Sequence, residues 1–302
     1  MSRRNPAVYG IGQCCLDYLG RIEAFPHPDE KCEFRDLRID GGGPVATALV
    51  ALSRWGISTA ICGVVGDDGF GAMIVRSLAD EGVDAEGLAV REGSESQFAF
   101  IVAEPGHGRR TVFWRRPTGA PLAPSEIDLE AIRNTRVFLT DGLYADASIA
   151  GALAARGAGI PVVVDAGSLR RGTSELIEIS DYFIASSVFA AAYAPGRSLR
   201  DVCVELQDRG PGVVCVTRGA DGYIARVRGR IIERPAVRID AVDTTGCGDL
   251  FHAGCIFGLL QGWDASESLE YAAWAAAMVS RALGGREAIP DPSEWPRIGR
   301  GR

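Results

Sequence analysis

Lysine is almost absent from this chain: Lys31 is the only one among 32 basic residues. A Walker-type phosphate loop, which needs a lysine after its glycines, is therefore excluded everywhere except at Lys31. Histidine is nearly as scarce. His27, His107 and His252 are the full set, too few and too scattered to suggest a histidine-based metal centre. The eight cysteines show no Cys-x-x-Cys spacing, and most stand in apolar runs such as Val213-Val214-Cys215-Val216. They read as free buried thiols rather than as zinc ligands or a disulfide framework. No uninterrupted apolar segment reaches the roughly 18–20 residues that a spanning helix requires. The opening Met-Ser-Arg-Arg-Asn-Pro leads into an ordinary strand rather than a signal region, so a cytoplasmic location is expected. A formal net charge of −7 lacks the basic surface that nucleic-acid binding usually shows.

The chain has 302 residues, 47% of them hydrophobic, which is ample for a large core. Strand-like and helix-like runs alternate. Strands are expected over 7–12, 58–64, 136–140, 161–165, 182–185 and 212–217. Helices are expected over 44–56, 70–81, 146–156, 199–208, 250–260 and 266–281, with a hairpin at Arg228-Gly229-Arg230. Near-continuous apolar strands alternating with helices imply a mostly parallel sheet covered on both faces. No linker or repeat interrupts the pattern, so 1–302 is expected to form one domain. Residues 17–40 and 96–116 break the rhythm. They read as strands without crossover helices, suited to a small β-sheet projecting as a lid.

The densest chemistry lies at 243–249, Asp-Thr-Thr-Gly-Cys-Gly-Asp, directly before an apolar helix. Main-chain N–H groups in a helix's first turn lack intrahelical partners and can face an anion. Gly246 and Gly248 leave room for a phosphate, and Asp249 stands where it can take a proton from an attacking hydroxyl. Near a positive helix end, Asp249 is expected to stay ionised at neutral pH. The plainer alternative is that Asp243 or Thr245 caps the helix and the glycines make its entry turn.

This segment resembles the C-terminal signature of the ribokinase-like (PfkB) carbohydrate kinases, with Cys247 where the family usually has alanine. Other stretches resemble the family in the same order. Gly41-Gly42-Gly43-Pro44-Val45-Ala46-Thr47-Ala48 is similar to its N-terminal glycine signature; Ala46 replaces an asparagine common in the family, and the form looks more like a branch that includes sulfofructose kinases. Residues 63–71, Gly-Val-Val-Gly-Asp-Asp-Gly-Phe-Gly, also resemble a family segment, and 217–222, Thr-Arg-Gly-Ala-Asp-Gly, resembles its nucleotide loop.

The resemblance implies a three-layer α/β/α fold with a small β-sheet lid and an ATP-dependent sugar kinase. Asp249 would act as base, with Gly246, Cys247 and Gly248 forming the anion hole. Asp17, Gly42, Gly43 and Lys31 would meet the sugar. Thr217, Gly219, Gly222 and Thr245 would meet the nucleotide. ATP and Mg²⁺ are the implied cofactors, a monovalent cation a further candidate, and a homodimer through the lid the implied assembly.

One element departs from the pattern: where the family has Asn-x-x-Glu for metal and phosphate, this chain reads Ser186-Ser187-Val188-Phe189. No metal ligand is assigned as a result, although Asp165 is a candidate water-mediated helper or a cap. Arg170 and Arg171 are either surface charges or partners of the transferred phosphoryl group. Two other classes compete. The first is a nucleoside kinase, or a sugar-binding regulator that lost catalysis. The second is a nicotinamide dehydrogenase, which fails because Gly10-Ile11-Gly12 is followed by Cys15 where a third glycine belongs.

Overall fold

A computed structural model describes residues 5–103 and 110–296. Its main sheet is built on β1 (Val8–Ile11), whose four residues are all buried. Parallel neighbours are β8 (Val137–Thr140) on one side and β4 (Thr59–Gly66) on the other. Beyond β4 lies β5 (Val83–Arg91). Beyond β8 follow β9 (Val162–Ala166), β10 (Tyr182–Ser186) and β11 (Val213–Thr217). Two antiparallel strands, β12 (Tyr223–Val227) and β13 (Arg230–Arg234), close the far edge. Their turn is the expected hairpin, with Arg228 and Gly229 both at positive φ, the geometry that matches strand twist in a two-residue loop.

Each face of this sheet carries its own hydrophobic layer. One is covered by α1 (Pro44–Arg54), α2 (Gly69–Asp80), α8 (Cys247–Leu260) and α9 (Ala265–Val279). The other is covered by α3 (Leu129–Arg133), α4 (Ala145–Gly157), α5 (Thr173–Ile179), α6 (Ser187–Tyr193) and α7 (Leu199–Asp208). Local signals explain the helix ends. Proline occupies the first position of α1 after Gly43 at φ 98°, and the Asp68 side chain accepts from Gly71 N–H at 2.8 Å to start α2. The result is the expected α/β/α architecture.

The second sheet has four strands in the order β3 (Asp36–Gly42), β2 (Cys15–Arg21), β6 (Phe98–Ala103) and β7 (Arg110–Arg115). Because β2 follows β1 after three residues, this sheet rises from the carboxyl edge of the main sheet, where such folds bind ligands. It occupies the stretches expected to form a lid, except that residues 104–109 lie outside the described residues. Its core is small: Leu19, Ala99 and Ile101, with Leu283 packed against them.

Four elements differ from the sequence expectation, among them the five-residue α3. β5 pairs in parallel with β4 although only two of its nine residues are buried. As an edge strand it needs no second apolar face. α5 and α6 have seven residues each, too short to give a helical period.

Candidate active site

Helix α8 begins at Gly246, which caps it in the left-handed conformation at φ 79°. The first intrahelical bond runs from Leu250 N–H to Gly246 O at 2.8 Å. The N–H groups of Gly248 and Asp249 therefore precede the hydrogen-bond ladder. The entry turn is fixed from below by Asp243, which is fully buried. Its Oδ1 accepts from Thr245 N–H at 2.9 Å and from the Thr245 hydroxyl at 2.8 Å, while Oδ2 accepts from Gly284 N–H at 2.9 Å.

Two of the sequence motifs meet at one opening. A cavity of about 720 Å³ is lined by Thr217, Gly219 and Gly222 from the turn after β11, and by Thr244, Cys247 and Gly248 from the α8 entry. Its volume falls in the range of small-molecule sites. Thr245 is a correction to the expectation. Its hydroxyl is spent on Asp243, and Thr244 lines the cavity in its place.

Asp249, half-buried, feels the charge of groups drawn from distant parts of the chain. Its carboxyl is pushed up to about 8, chiefly by burial and then by the charge of Asp165, with Asp17 adding to the rise and Arg110 and Arg286 opposing it. The expectation that the helix end alone keeps it ionised overlooked Asp165 and Asp17. Asp17 itself, 7% exposed, is raised to about 6, first by burial; the Cys15 thiol donates to its Oδ1 at 3.1 Å and, with Arg286, pulls the other way. Its Oδ2 lies over Gly42, where a Cβ would come within 2.0 Å, so only glycine admits the carboxylate there. Gly43 provides the turn into α1. Lys31 does not join this group: it is exposed in the loop between β2 and β3, with no ion pair among the described residues.

Asp165, at the end of β9, is held in place. Its Oδ1 accepts from Gly167 N–H at 3.1 Å, and Oδ2 lies 3.3 Å from His252 Nδ1. That ring nitrogen is also 2.7 Å from Gly248 O, and Nε2 is 3.3 Å from Ile184 O. His252 thus ties the first turn of α8 to the ends of β9 and β10. Replacing Asp165 by Asn should move the Asp249 titration midpoint downward from about 8, since a neighbouring negative charge is removed. Carboxyl ¹³C titration by NMR reads this directly, and an upward or absent shift would contradict the arrangement.

The altered Ser186–Phe189 segment is structural. Ser186 caps α6 by accepting from Phe189 N–H at 3.0 Å and donates its hydroxyl to Gly167 O at 2.9 Å. Phe189 is fully buried against Phe183. Among the described residues no group of three or more His, Cys, Asp or Glu side chains could hold a metal ion.

Two arginines escaped the sequence reading. Arg110 Nη1 donates to Thr244 Oγ1 at 2.6 Å and brings β7 onto the α8 entry. Arg286 is 1% exposed, donates to Ser77 Oγ at 3.1 Å, and leaves its Nε without a partner. In a chain so rich in arginine, neither carried a distinguishing signal.

A carboxyl poised beside unpartnered helix amides, at the carboxyl edge of an α/β/α sheet and under a second small sheet, is the layout of a phosphotransferase with an alcohol acceptor. The chain belongs to the pfkB family of carbohydrate kinases, whose match extends over residues 6–292. It is 29% identical to an ATP-dependent ribose-1-phosphate kinase of Halopiger xanaduensis, covering 93% of this chain and 94% of that protein. It is 26% identical to a nucleoside kinase of Methanothermobacter thermautotrophicus, covering 95% and 93%. The fold is also that of a putative ribokinase from Agrobacterium tumefaciens, with a TM-score of 0.88, 23% identity and 96% of each chain covered.

Proposed function

We propose that this chain transfers the γ-phosphate of ATP to a hydroxyl of a small carbohydrate or riboside. The observation that carries the reading is the convergence of the Thr217, Gly219 and Gly222 turn with the α8 entry on one cavity, with Asp249 in the first turn of that helix and within reach of the charge of Asp17. ATP would lie in that cavity with its phosphates at the α8 entry formed by Gly246, Cys247 and Gly248, where the Gly248 and Asp249 N–H groups have no intrahelical partner. Asp17, with the Gly42 and Gly43 backbone, would accept the acceptor's hydroxyls, since an ionised carboxylate is acceptor-only. Asp249 in its ionised form takes the proton of the attacking hydroxyl as the oxygen bonds to the γ-phosphorus and ADP leaves. Because the transition state is loose, placement and charge matter more than base strength. Mg²⁺ would enter on the ATP phosphates with water ligands. A monovalent cation rests on the family resemblance alone.

The expected acceptor is fructose-, ribose- or ketose-like, and the names of the relatives, which include fructokinases, a ribose-1-phosphate kinase and a nucleoside kinase, support that range. The same reading makes the chain one cytoplasmic kinase domain with the four-stranded sheet as lid. A homodimer through that lid is supported by the exposed Leu37, Ile39, Phe113 and Trp114. A regulator that binds without turnover is the rival, favoured only by the loss of Asn-x-x-Glu.

ADP release across a panel of sugars, sugar phosphates and nucleosides decides between them. Saturable release supports the kinase, and binding without release supports the regulator. With the accepted substrate, Asp17→Asn is expected to raise its KM at least about tenfold, the scale of one lost hydrogen bond to a charged group, with the KM for ATP unchanged. Equal changes in both would detach Asp17 from the acceptor.

A further inference from the structure

Among the described residues, the largest side chain that the fold buries completely is a charged one, Arg286 in the segment after α9. A guanidinium stays protonated in proteins, and burying a charge is costly unless its surroundings compensate. Hydrogen bonding compensates only in part: Nη1 donates to Ser77 Oγ of α2 at 3.1 Å, and Nε has no partner. The segment itself is pinned at three points. Gly284 N–H donates to Asp243 Oδ2 at 2.9 Å, Arg54 Nη1 donates to Arg286 O, and Trp55 Nε1 donates to Pro290 O at 2.8 Å. Arg54 is held in turn by two hydrogen bonds to Glu81, of 2.8 and 2.6 Å. The guanidinium thus stands on a fixed backbone.

It stands against glycine. A Cβ on Gly41 would come within 2.2 Å of Arg286 Nη1, and a Cβ on Gly42 within 2.0 Å of Asp17 Oδ2. Both glycines lie at the end of β3, and successive residues of a strand face opposite sides. The cation and the Asp17 carboxylate therefore close on one strand from its two faces, at consecutive residues that have no side chain. The titratable groups that Arg286 meets are nearly all acidic: Asp17 and Cys15 of β2, Asp40 of β3 and Glu81 after α2, with Cys14 and Asp249 also feeling its charge. Burial lowers the guanidinium from its ordinary value, and Asp40, Asp17, Cys15 and Glu81 oppose that. Asp40 Oδ2, like Arg286 Nε, is buried without a hydrogen-bond partner. Asp17 feels Cys15, Asp40, Arg110 and Arg286; Asp249 feels Asp165, Asp17, Arg110 and Arg286.

We propose that Arg286 is a positioning residue for the acceptor site: from behind the bare backbone of Gly41 and Gly42, its guanidinium holds the Asp17 carboxylate charged and in place for the acceptor's hydroxyls. Burial pushes Asp17 up to about 6, and Arg286 is among the groups that resist the rise. A protonated Asp17 would lose the acceptor-only character that suits a pair of sugar hydroxyls. The inference rests on the kinase reading above for the acceptor, and on the two glycines for the approach of the two charges.

The test uses the full chain with Arg286→Met, which keeps an apolar stem without the charge, and Arg286→Lys, which keeps the charge. At pH 6 the Met variant should lose about tenfold in kcat/KM for the accepted substrate, since removing the cation lets both Asp17 and Asp249 rise. That loss should narrow steadily toward pH 9, as both carboxyls ionise in either protein. Arg286→Lys should recover most of it, and the KM for ATP should stay unchanged throughout. In an Asp17→Asn background, Arg286→Met should add little to the acceptor KM, because the residue it acts through is gone. Gly41→Ala is an independent route that leaves Arg286 in the chain. The nearest contacts of its Cβ would be side-chain atoms of Arg286 and Ser77, so the cation is pushed off the strand, and a loss with the same pH dependence is expected. A loss of equal size at every pH, or additive effects of the Met and Asn changes on acceptor KM, overturns the inference and leaves Arg286 a packing residue. Should no acceptor be turned over, the kinase reading fails separately, and carboxyl ¹³C titration decides. The Asp17 midpoint should then climb above about 6 in Arg286→Met and hold in Arg286→Lys; an unmoved midpoint in the Met variant defeats the inference.

Discussion

Asp249→Asn is expected to slow turnover by about 10²–10⁴-fold, the range that one general base contributes, while the protein folds and binds ATP as before. It should also melt higher than the native protein at pH 8. The reason is linkage. Burial, followed by the Asp165 charge, holds the folded carboxyl at about 8, against about 3.9 in an unfolded chain. The folded state thus keeps a proton that the unfolded state has released, and the stability so gained falls as pH rises from about 4 to about 8. Asparagine has the shape of the protonated acid and cannot ionise, so it escapes that loss. The gap in Tm should be widest near pH 8 and close near pH 4, which calorimetry over that range reads. The kcat/KM of the native enzyme should climb on the acid side toward pH 8, because only the ionised form accepts a proton. An Asn variant that melts no higher at pH 8, or retains near-native turnover, would falsify the assignment of Asp249 as a base held above the usual carboxylate range.

The second large effect separates two glycines that look equivalent in the motif. Gly246 has φ 79°, and a Cβ there would lie 2.5 Å from the Gly285 Cα. Alanine would meet both a left-handed penalty of roughly 1–2 kcal/mol and a backbone clash that no rotamer relieves. Gly246→Ala should therefore lower Tm by several degrees and lose activity together with ATP binding. Gly248 is exposed, helical and has nothing within 4 Å of its ideal Cβ. Gly248→Ala should fold at least as well as the native chain, with up to about 1 kcal/mol of helix propensity in its favour. Its methyl group would instead stand where the phosphates approach, and kcat/KM for ATP should fall by about 10²-fold, the scale of one lost oxyanion donor. The contrast is measured by Tm and kinetics on both variants. If Gly248→Ala is as unstable as Gly246→Ala, or if it is fully active, the α8 entry does not cradle the phosphates as described.

The central strands, the α8 entry and the Thr217 turn were legible because each concentrates its signal within a few residues. Val8–Ile11 is buried throughout, and glycines mark both turns. β5 was not legible because its sequence alternates like a surface strand while its pairing is decided by β4. The electrostatics of Asp249 could not be read locally. The residues that set it come from β2, β7, the end of β9 and the segment after α9, more than two hundred positions apart in the case of Asp17. The inward turn of Thr245 was hidden for a related reason: its neighbour Asp243 takes the hydroxyl, and nothing in the motif distinguishes the inward threonine from the outward one.

The staple between Asp243 and Gly284, with Arg286 just beyond it, also governs when the catalytic centre comes into being. The centre joins Asp17 near one end of the chain to Arg286 near the other. During translation, the early strands can emerge from the ribosome and pair long before the turn at Gly246 has anything to rest on. Nascent chains ending before Gly284 would carry both glycine motifs and the aspartate, yet lack the support that shapes them. Competence to react therefore waits on the segment after α9, which must close over the turn.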